Sequence, residues 1–485
     1  MNHFELIREQ FRRLDPSASH ELNAPPSVAD LYTPADHESA LDTDRPLVIG
    51  DRGMGKTFWT SALSDPAARS YLAGVYPRLM LERCDVQVGF AGVDMAREGA
   101  ISQEIFSQLE GRDGYPAELI WRAVIYRAAS KGTGLPQHPS FNSLLKWAAE
   151  DAERFQNSLR QIDESIFKEG KRLVILFDAL DRLGNNWSEI RRRSTALMRV
   201  ALAFRSYTGI RLKVFMRTDQ ASDPSMFAFP DASKLTQGRV NLLWERRDLF
   251  GLAYSQLVRA PAVRHAFGEV CSSAVGLSLP NGSSLPDRIK HDEPVQQEIF
   301  AAMAGPYMGS DWRKGRTYTW LHNHLADAHG RVSPRSFLVA LRAAALQRPE
   351  PTSKVFDARG LQKGVQVASE ARVAQLGEEF LWITAALAPL ADLRVPANRD
   401  VFLSRWEDHR TAGSIATAAH RDGYLAPVEF GEKDGGATSD QLLEALQRIG
   451  VAETRPDGRI NMPDIFRVAS RLLRKGGIRV STNLS

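Results

Sequence analysis

Eight residues constrain this chain most: Gly50-Asp51-Arg52-Gly53-Met54-Gly55-Lys56-Thr57, placed directly after Leu47-Val48-Ile49 and directly before Phe58-Trp59-Thr60-Ser61-Ala62-Leu63. An apolar triplet, three glycines within six residues and a helical run predict strand, loop and helix in that order. Glycines admit backbone conformations that a Cβ hinders, so the loop N–H groups can converge on phosphate oxygens at the positive end of the following helix. Lys56 would then sit against the β- and γ-phosphates, and Thr57 would offer its hydroxyl to Mg²⁺. The expected binding set for ATP with Mg²⁺ is Gly50, Asp51, Arg52, Gly53, Met54, Gly55, Lys56, Thr57 and Phe58. A chance glycine turn before a helix would not call for the strand that feeds it.

A phosphate loop needs a carboxylate for its metal at the end of a neighbouring strand. The run 172–177, with Leu, Val, Ile, Leu and Phe in succession, reads as a strand covered on both faces, and it delivers Asp178 at its end. Asp178 joins Thr57 as an expected metal residue, direct or one shell out. Three residues on, Asp181 either polarises an attacking water or caps the next helix. The strand 211–216 ends in Arg217-Thr218-Asp219, at the sheet edge where ligands of open α/β folds bind. Arg217 or Thr218 can sense the γ-phosphate there; alternatively Arg217 pairs with Asp219 or Asp223. Arg335, in the first turn of a helix opened by Ser333-Pro334, is poorly matched to the helix dipole and is a further phosphate candidate.

Strands expected at 47–49, 85–91, 172–177, 211–216 and 240–244 alternate with helices at 187–207 and 246–258, which specifies an α/β fold with a parallel sheet. Helical periodicity over 101–127 and 141–167 marks a helical insertion. A chain of 485 residues is too long for one core. The expected organisation is an N-terminal helix and polar lead-in at 1–45, an α/β core at 46–275 with its insertion at 95–170, a helical lid at 276–350, and a C-terminal helical and winged-helix-like region at 351–485. Cys84 and Cys271 lack the spacing of a metal site or disulfide framework, and the first fourteen residues carry charges where a secretory signal would be apolar. No run approaches a membrane span. A cytoplasmic protein without a membrane partner is expected. The formal net charge of +4 is too dilute to specify nucleic acid.

The octet at 50–57, Asp178-Ala179-Leu180-Asp181-Arg182, Arg217-Thr218 and Ser333-Pro334-Arg335 together resemble the AAA+-related signal-transduction ATPases, the STAND and KAP-like group, over about residues 40–345. The resemblance implies a central parallel sheet with a helical lid. It makes Asp178 the Mg²⁺ carboxylate, Asp181 the catalytic acid residue, Thr218 the first sensor and Arg335 the lid sensor, beside Lys56. Ala179 stands where many members carry an acidic residue and Arg182 where NACHT members carry glutamate, so hydrolysis is expected to be slow. Slow turnover suits a switch.

Residues 439–473 read as helix, hairpin and helix, resembling a winged-helix module. From 455 to 485 there are seven Arg or Lys (455, 459, 467, 471, 474, 475, 479) against Asp457 and Asp464, so residues 439–485 are a candidate surface for DNA or for a protein partner. The resemblance also implies a homo-oligomer in which an arginine from a neighbouring subunit completes the site; Arg191-Arg192-Arg193 and Arg246-Arg247 are candidates, unless they are solvated helix faces. Three functions follow: an ATP-driven switch, plausible in bacterial defence or signalling; a DNA-loading ATPase resembling origin initiators or transposition regulators; and a small-molecule kinase using the same loop.

Overall fold

The structure is a computed structural model that describes residues 2–16, 25–92, 100–131, 133, 135–280, 282, 284–431, 436–475 and 477–478. The expected start of the insertion at 95, part of the polar lead-in and Arg479 lie outside these residues. The chain divides into two compact units, Ser19–Leu243 and Met1–Ala18 with Trp244–Ser485.

The unit Ser19–Leu243 is built on a five-stranded sheet: β1 Leu47–Ile49, β2 Cys84–Phe90, β3 Arg172–Phe177, β4 Ile210–Met216 and β5 Val240–Asn241, in the order β2-β3-β4-β1-β5. Every neighbouring pair is parallel. Leu173 to Phe177 are all buried, as a strand flanked on both edges and covered on both faces requires. Parallel pairing forces long crossovers. Helices Lys56–Ser64 and Pro66–Val75 return the chain to β2, and Trp187–Ala203 leads from β3 towards β4. The helix Pro66–Val75, capped by Asp65, has no counterpart in the periodicity read above.

The insertion consists of helices Gln103–Ser107, Ala117–Ala129, Phe141–Glu150 and Ala152–Lys168, with a wider turn at Gln108–Arg112. Its core meets the sheet through Trp121, which stands edge-on to Phe177 with ring centroids 5.5 Å apart and donates its indole N–H to Arg193 O at 2.9 Å. The expected strand at 240–244 is shorter: only Val240 and Asn241 pair with β1, and Glu245 already caps the next helix.

The second unit is helical. Arg8, buried on the helix His3–Arg12, donates to Val355 O at 2.9 Å and pairs with Glu350 at 2.9 Å, anchoring the N-terminal helix to residues 350–355. Helices Arg246–Leu257 and Pro261–Val275, which the sequence attaches to the α/β core, belong to this unit. Gln296, wholly buried, donates to Arg247 O, Ile289 O and Lys290 O and accepts from Tyr318 Oη at 2.8 Å. Towards the C-terminus lie helices Arg399–Asp408, Thr411–Asp422 and Ser439–Arg448, then β6 Glu453–Thr454 and β7 Ile460–Asn461, which are antiparallel. Ala397 bridges Ile460, so three extended segments stand side by side, in a winged-helix-like α+β arrangement. The second helix expected within 439–473 is one turn, Asp464–Arg467. Arg467 ends it by turning its buried guanidinium inward to Asp464 (2.7 Å), Leu472 O (2.9 Å) and Ile478 O (3.0 Å).

Candidate phosphate-binding site

β1, flanked by β4 and β5, feeds the loop 50–57. Gly50 N–H donates to Met216 O at 3.1 Å, and a Cβ at Gly50 would come 3.2 Å from Leu242 Cβ. Gly53 and Gly55 have φ of 82° and 99°, the left-handed region that favours glycine, and Gly55 is the N-cap of the helix Lys56–Ser64. The loop therefore closes at a helix N-terminus, where unshared N–H groups and the helix dipole favour an anion. Lys56 Nζ reaches back over the loop to Gly50 O (2.7 Å) and Asp51 O (3.0 Å). Met54 is buried, Asp51 and Arg52 are half-buried, and half-buried Phe58 stands edge-on to Trp59 with centroids 5.0 Å apart.

Thr57 is exposed, and its hydroxyl donates to Asp178 Oδ2 at 2.8 Å. Asp178 is buried at the end of β3, and its Oδ1 accepts the Ala179 N–H at 2.8 Å. Burial pushes the Asp178 carboxyl up, against the Lys56 ammonium and the Thr57 and Ala179 hydrogen bonds, which pull it down. Ala179 has φ of 56°, a conformation alanine adopts at a cost of roughly 1 kcal/mol, and it turns the chain sharply behind the carboxylate. Asp181 lies inside the one-turn helix Leu180–Arg182, so it is not a helix cap there.

At the end of β4, Arg217 is buried and makes two bonds to Asp219, Nε at 2.9 Å and Nη2 at 2.6 Å, while its Nη1 is 3.4 Å from Asp181 Oδ2. The pairing with Asp219 is one of the two partnerships open from the sequence; Asp223 pairs instead with Arg191 at 2.8 Å. Thr218 begins the short helix Thr218–Ala221 and is half-buried. The structure thus gathers the loop, Thr57, Asp178, Asp181, Arg217 and Thr218 at the C-terminal ends of β1, β3 and β4. Arg335 belongs to the other unit, exposed in the first turn of the helix Pro334–Leu346, whose N-cap is Ser333.

One residue escaped the sequence. His37 is buried beside the loop helix: it accepts the Trp59 indole N–H on Nδ1 at 3.1 Å and meets Leu243 O through Nε2 at 2.8 Å. Nothing local marks a contact between positions so far apart.

The arginine runs carry carboxylate partners, with Arg192 exposed to solvent. Arg192 and Arg193 share Glu110 at 2.8 and 2.7 Å, Arg193 is buried, and Arg246 pairs with Glu293 at 2.8 Å beside the Tyr318 ring. The C-terminal basic count also overstates the free charge. Arg467 is internal, Arg459 makes bonds of 2.9 and 2.6 Å to Asp457, and Arg474 lies 3.6 Å from Asp464. Among the described residues no helix is long and apolar enough to cross a membrane, and Cys84 and Cys271 are free thiols.

No protein-family model matches the sequence, and no curated protein matches it. Among solved structures the chain is similar to the Aeropyrum pernix ORC2 protein in ADPNP-ADP complexes, at 13% identity over 90% of this chain and 93% of that one, with a TM-score of 0.29. It is likewise similar to Cdc6p from Pyrobaculum aerophilum, at 13% identity over 93% of this chain and 94% of that one, with a TM-score of 0.30. At TM-scores this low neither likeness bears on function.

Proposed function

We propose that this chain binds Mg-ATP in the loop 50–57 and acts as a slowly hydrolysing nucleotide switch of the AAA+-related kind it resembles. The observation that carries the reading is the 2.8 Å bond between the Thr57 hydroxyl and the Asp178 carboxylate. A hydroxyl and a carboxylate are hard oxygen donors of the kind Mg²⁺ takes, and here they meet at the mouth of a glycine loop that opens a helix. Magnesium held by this pair would neutralise charge on the outer phosphates.

The remaining roles belong to the chain itself. Lys56 turns from the Gly50 and Asp51 carbonyls towards the β- and γ-phosphates. Asp181 orients the attacking water and accepts its proton. Arg217 and Thr218 sense the γ-phosphate from the end of β4, while Arg335 keeps the lid role that the resemblance gives it. Slow turnover follows from Ala179, which offers no second carboxylate beside Asp178, and from an Arg217 held by Asp219. A long-lived ATP state then holds one conformation until a trigger acts.

A second reading, a DNA-loading ATPase, is favoured by the winged-helix-like arrangement of Ala397, β6 and β7. One experiment separates the two: Mg-ATP binding and hydrolysis by the full chain and by Lys56→Ala, with and without duplex DNA at two salt concentrations. The switch reading expects binding lost in the variant and slow hydrolysis indifferent to DNA. Salt-sensitive stimulation by DNA would put the second reading first, and wild-type protein that binds no nucleotide would end both.

A further inference from the structure

Between the helices Glu293–Ala304 and Thr317–Leu325 the chain makes a tight excursion at 305–316. Tyr307 bridges Arg316 in antiparallel fashion, Met308 N–H donates to Gly315 O at 2.9 Å, and the Thr317 hydroxyl donates to Gly305 O at 2.6 Å. At the tip, Asp311 caps a single helical turn, accepting the Arg313 N–H at 2.8 Å, and Gly315 N–H closes on Trp312 O at 3.1 Å. The tip is thus a built loop with its own hydrogen bonds.

What it presents is an indole and three cations. Trp312 is 69% exposed and alone among the nine tryptophans in facing solvent. Arg313 lies over its ring, 5.5 Å from the centroid. Arg313, Lys314 and Arg316 are exposed, and none of the three side chains is in an ion pair among the described residues. The C-terminal arginines Arg459, Arg467 and Arg474 have carboxylate partners, whereas these three loop cations are in no ion pair among the described residues.

A single exposed apolar side chain is ordinary on a protein surface. An exposed indole layered with a guanidinium and flanked by unpaired cations has a more specific chemistry: the flat face stacks on a base, and the cations meet phosphates. We propose that the loop 305–316 is a contact for single-stranded nucleic acid, with Trp312 stacking on a base and Arg313, Lys314 and Arg316 on the backbone. A base paired inside a duplex offers no free face to an indole. A lipid surface would require apolar neighbours to enter the acyl region, whereas Gly309, Ser310 and Asp311 precede Trp312 in the chain and Arg313 and Lys314 follow it. The proposal does not depend on the nucleotide reading.

The test is anisotropy of a fluorescein-labelled oligothymidine titrated with the full chain, without ATP, over a series of salt concentrations. The wild type is expected to bind; Trp312→Ala is expected to bind at least about tenfold more weakly and Trp312→Phe to recover most of the loss, as stacking requires. Replacing Arg313, Lys314 and Arg316 together by alanine is expected to flatten the slope of log K against log salt by about 2, the counterion release of three single-strand phosphates. All four side chains are exposed, so melting temperatures should not move, and Lys56→Ala should bind the oligomer as the wild type does. Unchanged binding in Trp312→Ala would overturn the proposal. So would wild-type affinity for duplex equal to that for the single strand, or a Trp312-dependent attachment to anionic vesicles with no effect on the oligomer.

Discussion

Thr57 Oγ1 and Asp178 Oδ2 are 2.8 Å apart although the residues come from different crossovers of the sheet. Asparagine at 178 would keep this geometry: its Oδ1 can accept the Ala179 N–H and its Nδ2 can donate to the Thr57 hydroxyl, which accepts as readily as it donates. The substitution removes a buried negative charge while both of these hydrogen bonds keep a partner. Asp178→Asn is therefore expected to melt no lower than the wild type while phosphate release from Mg-ATP falls by about a hundredfold or more. Undiminished phosphate release in a folded Asp178→Asn protein would detach this carboxylate from the chemistry.

Arg217 and Asp219 form a two-pronged pair whose side chains are only 10% and 14% exposed. Removing one partner of such a pair strands the other charge, at a cost of about 3 kcal/mol, whereas removing both does not. Urea denaturation of Arg217→Ala, Asp219→Ala and the double variant should yield a double-variant loss smaller than the sum of the two single losses, by about 1 kcal/mol or more. Additive losses would mean that Asp219 does not hold Arg217. Only the loss of Arg217 is expected to slow hydrolysis with little effect on nucleotide affinity, since sensing belongs to the guanidinium and not to its anchor.

Much of the α/β unit was legible because its signals are local. The run Leu173 to Phe177 has no polar position, and the glycines of the loop have a fixed spacing, so β3, β1 and the loop fall where the sequence puts them. The helix Pro66–Val75 was not visible because it buries only Ala68 and Leu72, too few apolar positions to set a period. Arg467 counted as surface charge in the sequence and is internal in the structure, since its partners Leu472 O and Ile478 O lie in a chain end with no regular pattern. The Trp312 loop carried a readable signal, Trp-Arg-Lys-Gly-Arg in a polar turn, but exposure is what gives that signal its meaning, and exposure is a property of the fold.

His37 sets a pH dependence. Trp59 can only donate, so His37 Nδ1 accepts and the ring is neutral, with its remaining proton directed at Leu243 O. Burial pushes its pKa down to about 4, against the backbone hydrogen bond at Leu243, which raises it. The unfolded chain takes up a proton near pH 6.5 and the folded one does not until about pH 4, so this contribution is fully present above pH 6.5 and is lost as pH falls towards 4, by roughly 3 kcal/mol in all. Urea midpoints of the wild type should drop between pH 7 and pH 5 by more than those of His37→Gln, which cannot titrate. Parallel pH profiles would show that the ring charges without cost.

Asp163 supports the strand that carries Arg217. From the helix Ala152–Lys168 its carboxylate accepts Gly209 N–H and Ile210 N–H at 2.7 Å each, Thr208 N–H at 3.0 Å and the Thr208 hydroxyl at 3.2 Å, so the chain enters β4 around one side chain. A Cβ at Gly209 would stand 2.4 Å from Asp163 O, which keeps the approach this close only with glycine. Alanine at 163 leaves these amides without an acceptor in a buried place, and each orphaned group costs about 1–3 kcal/mol. Asp163→Ala is expected to lose at least about 3 kcal/mol of stability in chemical denaturation, and Gly209→Ala to be destabilised as well because backbone rather than a flexible side chain must yield. Asparagine keeps one acceptor oxygen, so Asp163→Asn should fall between wild type and Asp163→Ala. A loss below about 1 kcal/mol in Asp163→Ala would mean that water replaces the carboxylate at these amides and that β4 is positioned by its sheet neighbours alone.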